Sequence, residues 1–416
     1  MSPLLVVVSI VLVDLLGFTI VMPLLPRFAD EYSFSTPAIG LLMAAFPMCQ
    51  LVAGPILGRL SDRFGRRPVL ACSQAGTALS FVILGLSRNY SVMLLARMLD
   101  GASGGNILVA QAYIADVTKP EHRARSLGLI GAAFGVGFVL GPLLGGVLVS
   151  LPVAPEWRLR LPFLVAAGFS TLAWLLVYFY LPESIPADGR ARSEARVLSW
   201  RGLAATLASP RVGGLVAIGA LVVLGFAALE GTFSLFLLRR LHWRTDQAAY
   251  GFAALGLVSA LIQGGLIRRL VPRFGEPKLI VAGIATLAAG LAAMALVHSW
   301  PALAGAVLLV GIGHGLANPT VQGLLSRVTP AGDQGVVFGT LTSAQTLARM
   351  VNYLVANYLL GIDVSAPYWE AAGVMVVALV LALGFMGRTV DVGRSGLAEA
   401  VPGEAPLPAA GPSRSR

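Results

Sequence analysis

Apolar residues run along this chain in blocks of about twenty, broken by short polar clusters, and the blocks lack the period-2 alternation of half-buried strands. A bilayer core of about 30 Å needs about 20 apolar residues at 1.5 Å rise per residue, so each block predicts a membrane-crossing helix. Twelve such stretches are found: Leu4 to Leu25, Thr36 to Leu57, Val69 to Leu86, Ser91 to Ala115, Ser126 to Leu148, Leu161 to Leu181, Val212 to Leu238, Gln247 to Ile267, Leu279 to Val297, Ala302 to Leu325, Val336 to Leu360 and Tyr368 to Met386. The first runs past twenty residues and carries Asp14, which reads as a retained helix rather than a cleaved signal peptide. The predicted fold is an all-α membrane protein of 12 transmembrane helices.

Between the sixth and seventh stretches lies a polar run, Pro182 to Pro210, which divides the chain into an N-terminal half (1–181), a cytoplasmic linker (182–210) and a C-terminal half (211–388). Within the linker, Ala195 to Leu207 reads either as an interfacial amphipathic helix anchored by Trp200 or as a solvated loop. The tail, 389–416, is rich in Pro, Gly, Ala and Ser and is expected to be disordered. A shift of 210 residues brings landmarks of the two halves into register: Arg63-Phe64-Gly65 on Arg273-Phe274-Gly275, Gly54 on Gly264, Gly101 on Gly311 and Pro120 on Pro330. Two parallel six-helix repeats are a transporter architecture.

Composition agrees with lipid as the solvent: 56% of residues are hydrophobic and 12% charged. The formal charge of +10 changes meaning once the basic residues are placed. With the amino terminus inside, 21 of the 30 fall in cytoplasmic segments, at Arg59 to Arg67, Lys119 to Arg125, Arg190 to Arg211, Arg268 to Lys278, Arg327 and the tail. This is the positive-inside asymmetry, with both termini cytoplasmic, and it leaves no reason to invoke nucleic acid. Cys49 and Cys72, the two cysteines, read as small apolar residues within spans, and neither a metal site nor a bound cofactor is expected.

The segment Gly58-Arg59-Leu60-Ser61-Asp62-Arg63-Phe64-Gly65-Arg66-Arg67-Pro68 is a charged turn with glycines at both ends. It resembles the loop signature between helices 2 and 3 of the major facilitator superfamily. In that family a carboxylate at the position of Asp62 sits against a helix amino terminus and holds one gating state, with Gly58, Arg63, Gly65, Arg66 and Arg67 as its neighbours. The second-half counterpart, Arg268 to Lys278, has no aspartate, so the latch is expected to be lopsided. The fifth stretch carries Gly131, Gly135, Gly137, Gly141-Pro142 and Gly145-Gly146, and steps of four residues line small surfaces up for close helix contact. Gly137 and Gly141 to Gly146 also resemble the antiporter signature of the drug:proton branch. Leu12 to Gly17, Met22 to Pro26, Arg97 to Gly101 and Ala112 to Asp116 are similar to the tetracycline/proton exporters and their multidrug relatives. Ala75 to Leu86 departs from the tetracycline pattern by holding no acidic residue.

Ionisable groups in a hydrocarbon core are costly, so each is a candidate for function. Asp14 lies near the middle of the first stretch. Arg97 and Asp100, three apart, share one face of the fourth. Glu230 lies in the outer third of the seventh, His314 and Asn318 share a face of the tenth, and Arg349 and Asn352 mark the eleventh. The resemblance implies that helices 1, 4, 7 and 10 line a central cavity. Proton coupling is therefore assigned to Asp14, Glu230, Arg97 and Asp100. The substrate cavity is assigned to Phe18, Phe46, Gln50, Phe226, Phe233, His314, Asn318, Arg349 and Asn352.

An enzyme is not expected. Gly101-Ala102-Ser103-Gly104-Gly105 fits a nucleophile-elbow pattern but sits inside a predicted membrane helix rather than after a strand. No phosphate-binding loop precedes Lys119 or Lys278, the two lysines, so ATP is not the energy source. The reading is a monomeric secondary transporter of the inner membrane, driven by the proton gradient, that exports an amphipathic small molecule. Proton-coupled uptake of a sugar or organic acid is the alternative on the same fold, and a non-transporting receptor the remote one.

Overall fold

All twelve apolar stretches are helical in the computed structural model, which describes residues 3–118, 122–184, 209–330 and 333–398. In lipid the backbone must satisfy its own hydrogen bonds, and a helix does so within one segment. The first half holds α1 (Pro3–Val21), α2 (Leu25–Glu31), α3 (Thr36–Phe64), α4 (Arg66–Leu86), α5 (Tyr90–Ser103), α6 (Asn106–Val117), α7 (Arg123–Ser150), the single turn α8 (Pro155–Arg158) and α9 (Leu161–Tyr180). The second holds α10 (Pro210–Leu241), α11 (Thr245–Leu261), α12 (Ile267–Phe274), α13 (Glu276–Ala295), α14 (Trp300–Val328), α15 (Gln334–Ile362) and α16 (Ala366–Ala398).

Three stretches are not single regular helices. The first turns at 22–24 before α2, where Pro23 and Pro26 lack the N–H that would continue the ladder. The fourth breaks at Gly104-Gly105, and the eighth passes through a π-helical segment, Ile262–Leu266. Among the described residues eleven helices are long and apolar enough to cross a membrane. The remaining stretch is α15, whose 29 residues are ample length, but Gln345, Arg349, Asn352 and Asn357 dilute its apolar character. The last helix continues to Ala398, ten residues into the segment that composition assigns to the tail. The rest of the tail and most of the linker, including Ala195 to Leu207, lie outside the described residues.

The 210-residue repeat has a conformational counterpart. Gly65 and Gly275 are the glycines of positive φ among the described residues, at +106° and +77° with ψ near 155° in both. Each ends one helix, donates to the carbonyl four residues back (Ser61 and Val271, at 3.1 and 2.9 Å) and starts the next helix. Gly101 presses on Phe46 and Cys49 of α3, and Gly311 on Leu255 and Val258 of α11, so the same helix crossing recurs in both halves.

The halves meet at the end opposite the basic loops. One apolar core there draws on both, with Ile20 to Leu25, Phe28 and Leu42 from the first and Leu235, Ala249, Tyr353 and Leu360 from the second. Close approaches fix it: a Cβ added at Gly40 would lie 2.8 Å from Asn357 Cβ, one at Gly146 2.6 Å from Tyr250, and one at Gly256 2.9 Å from Phe138 C. Arg239 reaches Asp30 across the seam at 3.5 Å and donates to Leu360 O at 3.3 Å. At the basic-loop end, by contrast, a Cβ at Gly58, Gly128, Gly131, Gly264, Gly265 or Gly335 would meet no atom within 4 Å. The bundle is thus closed at one end and parted at the other.

Candidate functional site

Beneath the closed end lies a small cavity between the halves, lined by Phe18, Val21, Met22 and Leu25 of the first stretch, Met43, Phe46, Pro47 and Gln50 of α3, Arg97 of α5, and Arg349 and Tyr353 of α15. Its enclosed part is about 30 Å³, room for about two water molecules. Phe18 and Phe46 pack ring to ring at 5.3 Å. The Arg97 guanidinium stands 4.9 Å over the Phe46 ring, a cation–π contact. Gln50 donates to Gly104 O at 2.8 Å, a carbonyl freed by the break in the fourth stretch. Ser73 likewise donates to Ser103 O, so the broken helix leaves neither carbonyl bare.

Each arginine on the wall is paired with a carboxylate of its own half. Arg97 Nη1 donates to Asp100 Oδ2 at 2.5 Å, one turn along α5. Arg349 Nε donates to Glu230 Oε2 at 2.9 Å, and the Tyr353 hydroxyl donates to the same oxygen at 3.2 Å. Both carboxylates are buried, with side-chain exposures of 3% and 1%. Glu230 therefore does not face lipid: α10 carries it into the protein and α15 supplies its counter-ion.

Five residues expected at the site from sequence, Phe18, Phe46, Gln50, Arg97 and Arg349, line the cavity, and Asp100 and Glu230 stand directly behind it. Others lie elsewhere. Asp14 is within the first half, where Asn106 donates to its Oδ2 at 2.6 Å, and its other oxygen has no partner. Arg97 pairs with Asp100, its neighbour on the same face of α5. Phe226 stacks on His314 at 3.8 Å. Phe233 is fully buried in the second-half core, edge-on to Phe252, and is a packing residue. Asn318 accepts from Gln322 and Gln345 at 3.4 and 3.3 Å. Asn352 donates to Leu224 O and, at 3.4 Å, to Glu370. Sequence reasoning missed Tyr353, which the four-residue step from Arg349 places on the same helix face. It also missed Asn106, whose signal is a polar residue just after two glycines in an apolar run.

The loop 58–68 forms a second polar cluster. Arg66 bonds Asp62 at 2.6 Å, Ser61 at 2.6 Å and Asp116 at 3.1 Å. The carboxylate at the amino terminus of α4 is Glu183, accepting from the N–H groups of Arg66 and Arg67 at 2.8 and 3.2 Å. Asp62 is paired with Arg66 and does not cap this terminus. In the second half the charges are exchanged: Glu276, at the register position of Arg66, pairs with Arg327 at 3.1 Å, next to the position of Asp116.

In the fifth stretch, Gly137, Gly141 and Gly145 face Leu15, Thr19 and Leu24 of the first, while Gly146 meets Tyr250 of the other half. Gly131 and Gly135 make no close contact. Gly101 to Gly105 form the end of α5 and its break, not a strand-to-helix elbow.

The sequence model of the Major Facilitator Superfamily matches residues 7–275 and 266–409. The class C tetracycline resistance protein of Escherichia coli is 32% identical over 390 residues, spanning 91% of this chain and 94% of that protein. Multidrug resistance protein 1 of Bacillus subtilis (strain 168) is 28% identical over 375 residues, 88% and 92% of the two chains. The crystal structure of the human organic anion transporter MFSD10 (TETRAN) superposes with a TM-score of 0.68 at 28% identity, covering 91% and 98%. A D-xylose-proton symporter shares the fold, with a TM-score of 0.74 at 18% identity over 92% and 97%. The two solved structures are of a transporter and a symporter. The paired halves, the cavity between them and these matches lead to one assignment: the chain is a multi-pass membrane protein belonging to the Major Facilitator Superfamily, whose members act on small molecules.

Proposed function

We propose that the protein is a proton-coupled secondary transporter that exports amphipathic, drug-like molecules by alternating access. The observation that carries the reading is the cavity between the halves, walled by aromatic and apolar side chains, with two buried carboxylates behind it and the halves parted at one end only. The tetracycline and multidrug resistance proteins among its relatives support export of such compounds. Counting α15 as a span gives twelve crossings. The positive-inside rule then puts both termini, and the parted end, in the cytoplasm of a bacterial inner membrane. Working as a monomer, the chain would rock its halves about the cavity to expose it to either side.

Asp14 is the proposed proton carrier, held in the first half by Asn106. Asp100 and Glu230, tied to the wall arginines, sense the cavity. The test is exchange in reconstituted vesicles. Asp14→Asn is expected to fold yet lose proton-driven substrate flux, and undiminished coupling removes Asp14 from the mechanism. A second reading, proton-coupled uptake of a polar metabolite, is favoured by the polar groups of Gln50, Arg97, Arg349 and Tyr353 on the same wall. Deletion and overexpression discriminate: export predicts altered susceptibility to amphipathic compounds, and uptake predicts none.

A further inference from the structure

The charge on the cavity wall is of one sign. Among its lining residues are two guanidiniums, Arg97 from the first half and Arg349 from the second, and no carboxylate. Asp100 and Glu230 each engage one nitrogen of their arginine from behind. A guanidinium has five N–H donors, so both arginines keep most of theirs. Arg97 Nε is fully buried and has no acceptor, an uncompensated donor in the interior. Arg349 is the most open of the four charged groups, its side chain 35% exposed against 6% for Arg97, 3% for Asp100 and 1% for Glu230. Arg97, Arg349 and Tyr353 line the same small cavity, the first from one half and the other two from the second. Around them Phe18, Phe46, Met22 and Met43 give apolar, polarisable surface.

A cation entering this space would meet guanidinium donors first and find no exposed carboxylate to pair with. An anion would supply the acceptor that the arginine donors lack, and guanidinium groups match carboxylate geometry with two parallel bonds. We propose that the cavity recognises amphipathic organic anions, an apolar ring system carrying a carboxylate or sulfonate that bridges Arg97 and Arg349. The inference rests on the transporter reading above and names the charge class of its cargo. Because the two arginines belong to different halves, an anion bound to both ties the halves together at the seam. The enclosed space holds only the head group, and the ring system extends toward the parted end.

The test uses the full-length protein in lipid nanodiscs and three probes that share one ring system: pyrenebutyrate, its neutral methyl ester, and a pyrenylbutyl trimethylammonium cation. Binding is followed by tryptophan quenching, with empty nanodiscs subtracted. The carboxylate is expected to bind about 10-fold or more tighter than the ester and the cation, about 1.4 kcal/mol. Removing an arginine alone would strand a buried carboxylate, so the variants are paired: Arg97→Gln with Asp100→Asn, and Arg349→Gln with Glu230→Gln. Each pair is expected to abolish the preference. Where a paired variant fails to fold, Arg349→Lys serves. It keeps the charge but loses the fork, and should weaken the carboxylate several-fold while leaving the ester unchanged. Equal or tighter binding of the cation, or wild-type carboxylate binding by the variants, overturns the proposal. Proton-driven vesicle flux of a cationic or neutral drug without anion preference would sink the anion site and leave the export reading standing. Anion binding with no flux of any probe would do the reverse.

Discussion

Replacing Gly141 by alanine tests whether the glycine run of the fifth stretch is a packing device aimed at the first. At Gly141 the new Cβ would lie 2.7 Å from Thr19 Cβ and 2.9 Å from Thr19 C, and the latter is backbone that cannot swing aside. Over-packing of this kind costs about 1–3 kcal/mol. The control is Gly131→Ala, ten residues earlier on the same helix, where a Cβ meets nothing within 4 Å. Alanine gains about 1 kcal/mol over glycine in helix propensity at either site, so the term cancels in the comparison. Gly141→Ala is therefore expected to be about 1–3 kcal/mol less stable than Gly131→Ala. The assay is unfolding by denaturing detergent in mixed micelles, followed by far-ultraviolet circular dichroism. A difference below about 0.5 kcal/mol, the scatter of ordinary surface substitutions, would refute the argument.

Three further outcomes are expected. Gly65→Ala and Gly275→Ala should each cost about 1–3 kcal/mol, because both sites need a backbone conformation reserved for glycine. Gly65→Ala should be the worse in the same unfolding assay, since its Cβ also strikes the Glu183 carboxylate, whereas Gly275 meets only Pro277 at 3.7 Å. Arg66→Ala should lose about 2 kcal/mol by stripping Asp62, Asp116 and Ser61 of one shared partner. Arg327→Ala, whose side chain is 68% exposed, should lose less than about 1 kcal/mol, and equal losses would contradict the burial difference. Glu183→Gln should destabilise by about 1 kcal/mol, because the amide keeps the acceptor but removes the charge that the α4 amino terminus favours, and no change in unfolding would dismiss that role.

The all-helical, many-spanning character of the chain was legible in the sequence because the bilayer imposes a length and a polarity on each crossing separately. Each stretch carries its own evidence, and α15 falls short in apolar character because it spends positions on the site: Arg349 lines the cavity, and Asn352 ties α15 to α10. The glycines at 65 and 275 were legible for a similar reason, since a turn of that conformation is a local demand.

Partnership was not local, and only the tertiary structure decided it. Asp14 and Glu230 are equally improbable in an apolar helix, and nothing along the chain says that Asn106 would bond the first and Arg349 the second, whereas the three-residue step from Arg97 to Asp100 is local. Phe226 and Phe233 had the same claim to the cavity as Phe18 and Phe46, yet α10 turns the first toward His314 and the second toward Phe252. A side chain's direction depends on the rotation of its helix against its neighbours, which is set by all the contacts of the bundle at once. Glu183, 117 residues from the amide of Arg66 that it caps, reaches the start of α4 because folding brings the end of α9 beside it. The sequence by itself determined that this chain crosses a membrane many times in two related halves. The structure determined which charges face the space between them, because that depends on packing across the halves.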